Sequence, residues 1–277
     1  MPMHNTAPPP RASDLDSLLG ILWQDYIRMN PDARRIHELF TSRGERVVND
    51  HIALRTFGLP VVSIEALASP FLQAGYAPRG SYEFPGKKLV ARHYEHAEPG
   101  RPKIFISEIV VDALSHKAQA IIRNLVDCIE PSFPRRFDFC TMGRPWPIAF
   151  QDYETLRQES EYAAWVAAFG YRPNHFTIDV GALRTLGSLE QVNELLEQSG
   201  FVLNASGGKI KGTPAELLEQ SSILANEIDV EFSDGSRKIP GCYYEFARRY
   251  PGPDGRPYQG FIAASADRIF ESTDTRG

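Results

Sequence analysis

The sequence predicts a mixed α+β fold in which two strand–helix–strand–strand–strand modules form one curved sheet around a central cavity, with helices outside it and at the N-terminus. Three observations carry this reading. Hydrophobic residues switch along the chain between a period of two and a period of 3.6. The order strand, helix, strand, strand, strand occurs twice, over about 45–112 and about 170–250. Each occurrence opens on a strand with a histidine behind a polar residue, Asn49-Asp50-His51 in the first and Pro173-Asn174-His175 in the second. The two histidines lie 124 positions apart because a helical insert, 113–169, separates the halves.

Taken in order, residues 1–12 are proline-rich and polar and read as a disordered tail, leaving 13–277 as one domain built of the two modules and the insert. Leu15, Leu18, Leu19, Leu22 and Tyr26 recur at helical spacing behind a capping Ser13 or Asp14, which predicts a helix over 13–29. Pro31 suits a first helical position and Gly44 an exit, so 31–43 is a second helix. Alternation marks Asn49 to Phe57 as a strand. A helix follows over 63–74, then strands over 76–82, 87–96 and 103–111, the last rich in β-branched residues. The insert reads as a helix over 113–129, an irregular proline and aromatic connection over 131–147, and one helix over 151–169. In the second half a strand over 172–180 is followed by a helix over 188–199 and a short strand over 201–205. A glycine-rich turn, an extended stretch from 225 and a closing strand over 241–248 come next, with a helix near 266–270.

Composition narrows the function. A chain of 277 residues can bury a sizeable core. Its formal charge of −5 makes no electrostatic case for nucleic acid as a partner. No apolar run approaches the length of a membrane span, and 1–12 lack the apolar core of a signal peptide. Cys128, Cys140 and Cys242 show no paired spacing, which argues against a disulfide framework or a cysteine zinc site and leads to the expectation of a cytoplasmic protein.

The chemistry centres on the first histidine strand. Residues two and four apart on a strand share a face, so His51 and Arg55 point the same way with small Ala53 between them. A satisfied histidine beside a surface arginine is the plainer reading of that face. The sharper one is a site that holds a metal through the imidazole and a carboxylate through the guanidinium. Two histidines and one carboxylate are a common ligand set where a metal keeps open positions for oxygen chemistry. Here the set would be His51, His175 and a carboxylate from a late strand of either half, Glu108 or Glu245. No local HExxH motif exists to decide between them. Glu245 lies among aromatics in Tyr243-Tyr244-Glu245-Phe246, where burial without a partner is costly, and an ion pair with Arg55, Arg248 or Arg249 is its alternative role. His93 and His96 lie on or near a strand, which leaves His93 as a minor candidate for facing the site; His4 falls in the tail, and His37 and His116 on solvated helix faces. Cys242 reads as a small core residue. The stretch Gly207-Gly208-Lys209-Ile210-Lys211-Gly212 lacks phosphate-loop spacing and reads as a mobile loop, with a basic lid over an acidic substrate as the alternative.

These residues together carry a resemblance. Asn49 to Phe57, Asn174-His175-Phe176-Thr177, Gly208 to Gly212, Gln220-Ser221-Ser222, Tyr243 to Arg248 and the stretch 260–272 resemble the 2-oxoadipate dioxygenase/decarboxylase family of the vicinal oxygen chelate, or glyoxalase-like, superfamily. The resemblance covers 15–272. It implies paired βαβββ modules, iron(II) with zinc or nickel as alternative occupants, and conversion of 2-oxoadipate and O2 to 2-hydroxyglutarate in lysine degradation. It also implies His51, His175 and Glu245 as metal ligands and Arg55 as the residue that binds a substrate carboxylate. Two rival readings use the same fold: a glyoxalase-type isomerase or lyase with Glu108 as a fourth ligand, and a binding protein without metal.

Overall fold

A computed structural model describes residues 14–263; the tail read at 1–12 and the helix expected near 266–270 lie outside the described residues. Helix α1 (Leu15–Met29) starts where the Asp14 side chain accepts a hydrogen bond from the Ser17 amide at 2.8 Å, and it buries Leu18, Leu22 and Tyr26. Helix α2 (Pro31–Ser42) is capped by Asn30, whose side chain accepts from the Ala33 amide at 3.1 Å. Then come β1 (Asn49–Phe57), α3 (Ile64–Gln73), β2 (Tyr76–Phe84), β3 (Leu89–His96) and β4 (Lys103–Ile109). The insert supplies α4 (His116–Val126), α5 (Phe150–Glu159) and α6 (Glu161–Phe169). The second half contributes β5 (Pro173–Asp179), α7 (Leu189–Gln198), β6 (Lys211–Thr213), β7 (Leu218–Ser222), β8 (Glu227–Phe232), β9 (Gly235–Pro240) and β10 (Tyr243–Arg249).

Eight strands make one curved sheet in the order β2-β3-β4-β1-β5-β10-β7-β6. Within each half the first strand runs parallel to the last, β1 beside β4 and β5 beside β10. The halves meet where β1 pairs antiparallel with β5. The histidine strands are therefore the two central neighbours of the sheet. β8 and β9 form a separate hairpin between β7 and β10.

Alternation gives the sheet two different faces. One carries Ile52, Leu54, Ile104, Ile106, Phe176, Ile178, Tyr244 and Phe246, all buried. Helices cover it: Trp23 and Tyr26 of α1 pack on Phe176 at ring separations of 5.1 and 4.8 Å, and Phe40 of α2 lies 6.1 Å from Phe246. Each such aromatic pair adds about 0.5–1.5 kcal/mol beyond its buried area. The other face carries His51, Arg55, His175 and Glu245. Its end near Arg55 is covered by α6, which is apolar all round and buried from Tyr162 to Phe169, as an enclosed helix must be. Gly170 ends α6 at φ 67°, and a Cβ there would strike the Gly143 carbonyl, so the close return of the chain requires glycine.

Three local expectations give way. The helix read at 151–169 is two helices, because Ser160 leaves helical geometry and its side chain accepts from the Ala163 amide at 3.1 Å to start α6. The strand read at 201–205 reduces to a single bridge between Leu203 and Ile223. The edge strand is β6, inside the stretch read as a mobile loop: after the left-handed Gly207 and Gly208, Lys211 is buried and its ammonium donates to the Asn204 carbonyl at 2.6 Å.

Candidate metal centre

Strand register assembles the site. His51 pairs across the β1–β5 ladder with Thr177, and Ala53 with His175. Across the β5–β10 ladder His175 pairs with Tyr243, and Thr177 with Glu245. Paired residues, and residues two apart, share a face. Three adjacent strands thus deliver His51, His175 and Glu245 to one spot. Their potential ligand atoms all lie within 4.8 Å of one another. His51 Nε2 is 3.4 Å from Glu245 Oε1, and His175 Nε2 is 3.4 Å from Glu245 Oε2. The imidazole rings stand edge to face at 5.4 Å, and all three residues are buried.

The polar residue before each histidine has a physical job. Asp50 Oδ1 lies 2.8 Å from His51 Nδ1, and Asn174 Oδ1 lies 3.1 Å from His175 Nδ1. Burial opposes ionisation of Asp50, but the Arg249 guanidinium and the His51 hydrogen bond outweigh it and hold the carboxyl well below its ordinary range. An ionised carboxylate only accepts, so His51 carries its proton on Nδ1 and turns the Nε2 lone pair toward the site. The Asn174 carbonyl oxygen does the same for His175. Burial lowers both imidazoles, His175 well below its ordinary value with His51 and Arg55 adding to the effect, so both rings are neutral, the state in which imidazole ligates. Thr177 Oγ1 sits 3.0 Å from His51 Nε2.

Glu245 is fully buried. Burial raises its carboxyl to about 8, although Gln220 donates to Oε1 at 2.6 Å. Oε2 has no hydrogen-bond partner among the described residues. Two of the three arginines weighed for it go elsewhere: Arg249 binds Asp50, and Arg248 donates to the Gly187 carbonyl.

Arg55 is 2 % exposed and faces the same side as His51. Its guanidinium lies over the rings of Tyr162 and Trp165 at 5.0 and 5.2 Å. The Tyr162 hydroxyl is anchored to Ser107, donating to its carbonyl at 2.7 Å with the Ser107 hydroxyl at 2.9 Å. Trp165 donates from its indole to the Gly241 carbonyl at 2.8 Å. The insert therefore walls the arginine, a role that its sequence did not reveal.

The profile of the 2-oxoadipate dioxygenase/decarboxylase family matches residues 11–137 and 140–257. The chain belongs to this family of enzymes. An Arabidopsis thaliana relative, the chloroplastic 2-oxoadipate dioxygenase/decarboxylase, is 36% identical over 93% of this chain and 76% of its own length. The rice (Oryza sativa) hydroxyglutarate synthase, solved in complex with 2-oxoadipate, is 33% identical, covers 99% of this chain and 98% of its own, and superposes with a TM-score of 0.87. A protein of Shewanella frigidimarina NCIMB 400, 47% identical, matches 92% of this chain and 100% of its own at the same TM-score.

Family membership removes the binding-protein reading, and the geometry weakens the isomerase reading. Glu108 is paired with Thr56, on the helix-covered face, where its Oε2 accepts from the Ile64 amide at 2.7 Å at the start of α3. It cannot be a fourth ligand there. His93 does lie on the site face, but its ring nitrogens take Tyr82 at 2.8 Å and Glu95 at 3.0 Å. Cys242 is the core residue expected, its buried thiol raised well above its ordinary value. One expectation is overturned: the Arabidopsis member of the family is a chloroplast protein, not a cytoplasmic one. Unpaired cysteines are compatible with more than one compartment and are not a unique address. Among the described residues no helix is long and apolar enough to cross a membrane.

Proposed function

We propose that this chain is an iron(II)-dependent enzyme that converts 2-oxoadipate and O2 to 2-hydroxyglutarate and CO2, a step of lysine degradation. The observation that carries the reading is the convergence of two neutral imidazoles and one carboxylate within 4.8 Å, on the face that also holds a buried arginine. The donor set fits a divalent metal. Two nitrogens and one oxygen suit iron and leave positions open for other oxygen ligands. The protein alone leaves Glu245 Oε2 buried with no hydrogen-bond donor among the described residues, an arrangement that a cation would complete. His51 and His175 would bind through Nε2 and Glu245 through its carboxylate. Both modules supply ligands, so 13–277 acts as one catalytic unit of modules 45–112 and 170–250 joined by the insert 113–169.

Iron(II), when bound, supplies the electrons through which dioxygen reacts. The protein's part is to orient and to shield. Asp50 and Asn174 hold both imidazoles in the ligating tautomer. Arg55 holds a substrate carboxylate through its planar fork and thereby sets which carbon faces the reacting oxygen. Tyr162 and Trp165 keep the guanidinium in place and exclude water from it. 2-Oxoadipate and O2 together contain the atoms of both products, so the reaction consumes no separate reductant. The test is an oxygen electrode with ferrous protein and a panel of 2-oxo acids. Uptake is expected with 2-oxoadipate, one O2 per CO2 released; no uptake with any 2-oxo acid overturns the reading.

A stability prediction follows from Glu245. Its folded pKa, about 8, is raised from an ordinary 4.5. Below pH 4.5 folded and unfolded chains are both protonated there, and nothing is lost. As pH rises from about 4.5 to about 8 the unfolded chain ionises while the folded one does not, so the metal-free protein loses stability across that window. Metal-free Glu245→Gln is therefore expected to melt above metal-free wild type at pH 8, by several degrees at roughly 2–4 °C per kcal/mol. The gap should close toward pH 5. Calorimetry at both pH values checks it; a gap no larger at pH 8 than at pH 5 contradicts the burial argument.

A further inference from the structure

One guanidinium binds both the acceptor of the His51 ring and the chain segment that packs against that ring. The Arg249 side chain is 5 % exposed. It grips Asp50 with two donors, Nε to Oδ2 at 2.6 Å and Nη2 to Oδ1 at 2.9 Å. Its remaining nitrogen, Nη1, donates to the carbonyls of Tyr258 at 2.9 Å and Gly260 at 2.7 Å. The next residue, Phe261, lies under the same guanidinium at 5.0 Å and presents its ring to His51 at 4.9 Å and 89°. Asp50 in turn accepts from His51 Nδ1 at 2.8 Å. His51 is thus held twice, along its ring edge through Asp50 and against its ring by Phe261, and both holds run through Arg249.

We propose that Arg249 is a positioning residue that links the ligand His51 to the 258–261 segment, so that metal binding and the seating of Phe261 strengthen each other. The proposal rests on the metal reading above. A metal on Nε2 favours the one ring orientation that Asp50 and Phe261 also favour. Coupling between two binding events is reciprocal, so a seated segment must raise metal affinity by the factor with which metal favours seating. Arginine is required because its rigid fork spans a carboxylate and two carbonyls at once; the single nitrogen of lysine cannot. A purely structural ion pair predicts something else, namely equal loosening of the segment with and without metal and no change in metal affinity.

The experiment uses the full chain, stripped of metal and titrated with zinc against a competing chelator, with hydrogen exchange followed at the amides of Tyr258 and Phe261. These amides donate to Tyr250 O at 2.9 Å and to the Tyr82 hydroxyl at 3.1 Å. In wild type, zinc should slow exchange at both. In Arg249→Lys, affinity should fall about tenfold, the low end of the range for a lost outer partner of a ligand because Asp50 itself remains, and zinc should no longer slow exchange. Phe261→Ala keeps the Arg249 hydrogen bonds and removes only the ring; its zinc affinity should fall several-fold. Wild-type affinity in Arg249→Lys, or undiminished slowing by zinc, overturns the proposal. If Arg249→Lys fails to fold by circular dichroism, Phe261→Ala decides, and wild-type affinity there overturns it. Wild-type protein that binds no zinc and no iron defeats the metal reading instead.

Discussion

His175→Ala is expected to yield a folded protein that retains no stoichiometric iron and turns over 2-oxoadipate about a thousandfold more slowly or worse. On the proposed metal reading His175 is one of three donors, and among the described residues the other site-face histidine, His93, is engaged by Tyr82 and Glu95. A metal held by His51 and Glu245 alone has lost a third of its protein ligands. Several kcal/mol of barrier lowering depend on the bound metal, and each 1.36 kcal/mol is tenfold in rate. The fold should survive, because the metal-free protein buries its core independently of this ring and Tyr243, stacked on it at 4.6 Å, remains to fill part of the space. Metal analysis, oxygen uptake and a melting curve on the same preparation give the three readouts. Full iron and full turnover in this variant would show that His175 is a packing residue.

Arg55→Lys carries the second-largest effect. The side chain faces the site from the same strand as His51, and its charge reaches His175. Lysine would keep the charge, but it loses the planar fork and the stacking on Tyr162 and Trp165. The variant should keep its iron and lose about 1.5–3 kcal/mol of transition-state stabilisation, the range for a charge-assisted hydrogen bond. That is roughly a ten- to hundredfold fall in kcat/KM. The substrate panel adds resolution. If Arg55 holds the distal carboxylate, a 2-oxo monocarboxylic acid should lose less than 2-oxoadipate does. If it holds the carboxylate beside the keto group, both should lose equally. Wild-type kinetics with every substrate would make Arg55 structural and place the anion anchor elsewhere.

How far these residues were legible depends on the range of the interaction that places them. Period-two alternation is a property of one strand, so the shared face of His51 and Arg55 could be read directly from Asn49 to Phe57. Helix starts are equally local, and Asp14, Asn30 and Ser188 cap helices by accepting from amides of the first turn. The repeated polar residue before histidine was visible as well. Its meaning as the hydrogen-bond acceptor that sets each imidazole tautomer was not, since that needs the ring geometry.

The choice of carboxylate shows the limit most clearly. Glu108 and Glu245 both lie on the last strand of their half, and the residues alone left either open. Across the ladders Glu108 pairs with Thr56, on the helix side, while Glu245 pairs with Thr177, on the histidine side. A difference of one residue in phase turns a side chain to the other face, and the phase between strands is set by their pairing. The same holds for Arg249 and Asp50, 199 positions apart, and for Tyr162 and Trp165, which reach Arg55 from the insert. The sequence by itself determined the class of fold, the two histidine strands and the residue types of the site. Apart from the family resemblance, only tertiary structure decided which carboxylate lies beside the histidines and what holds each in place, because register and long-range packing are properties of strands and helices brought together, not of any one segment.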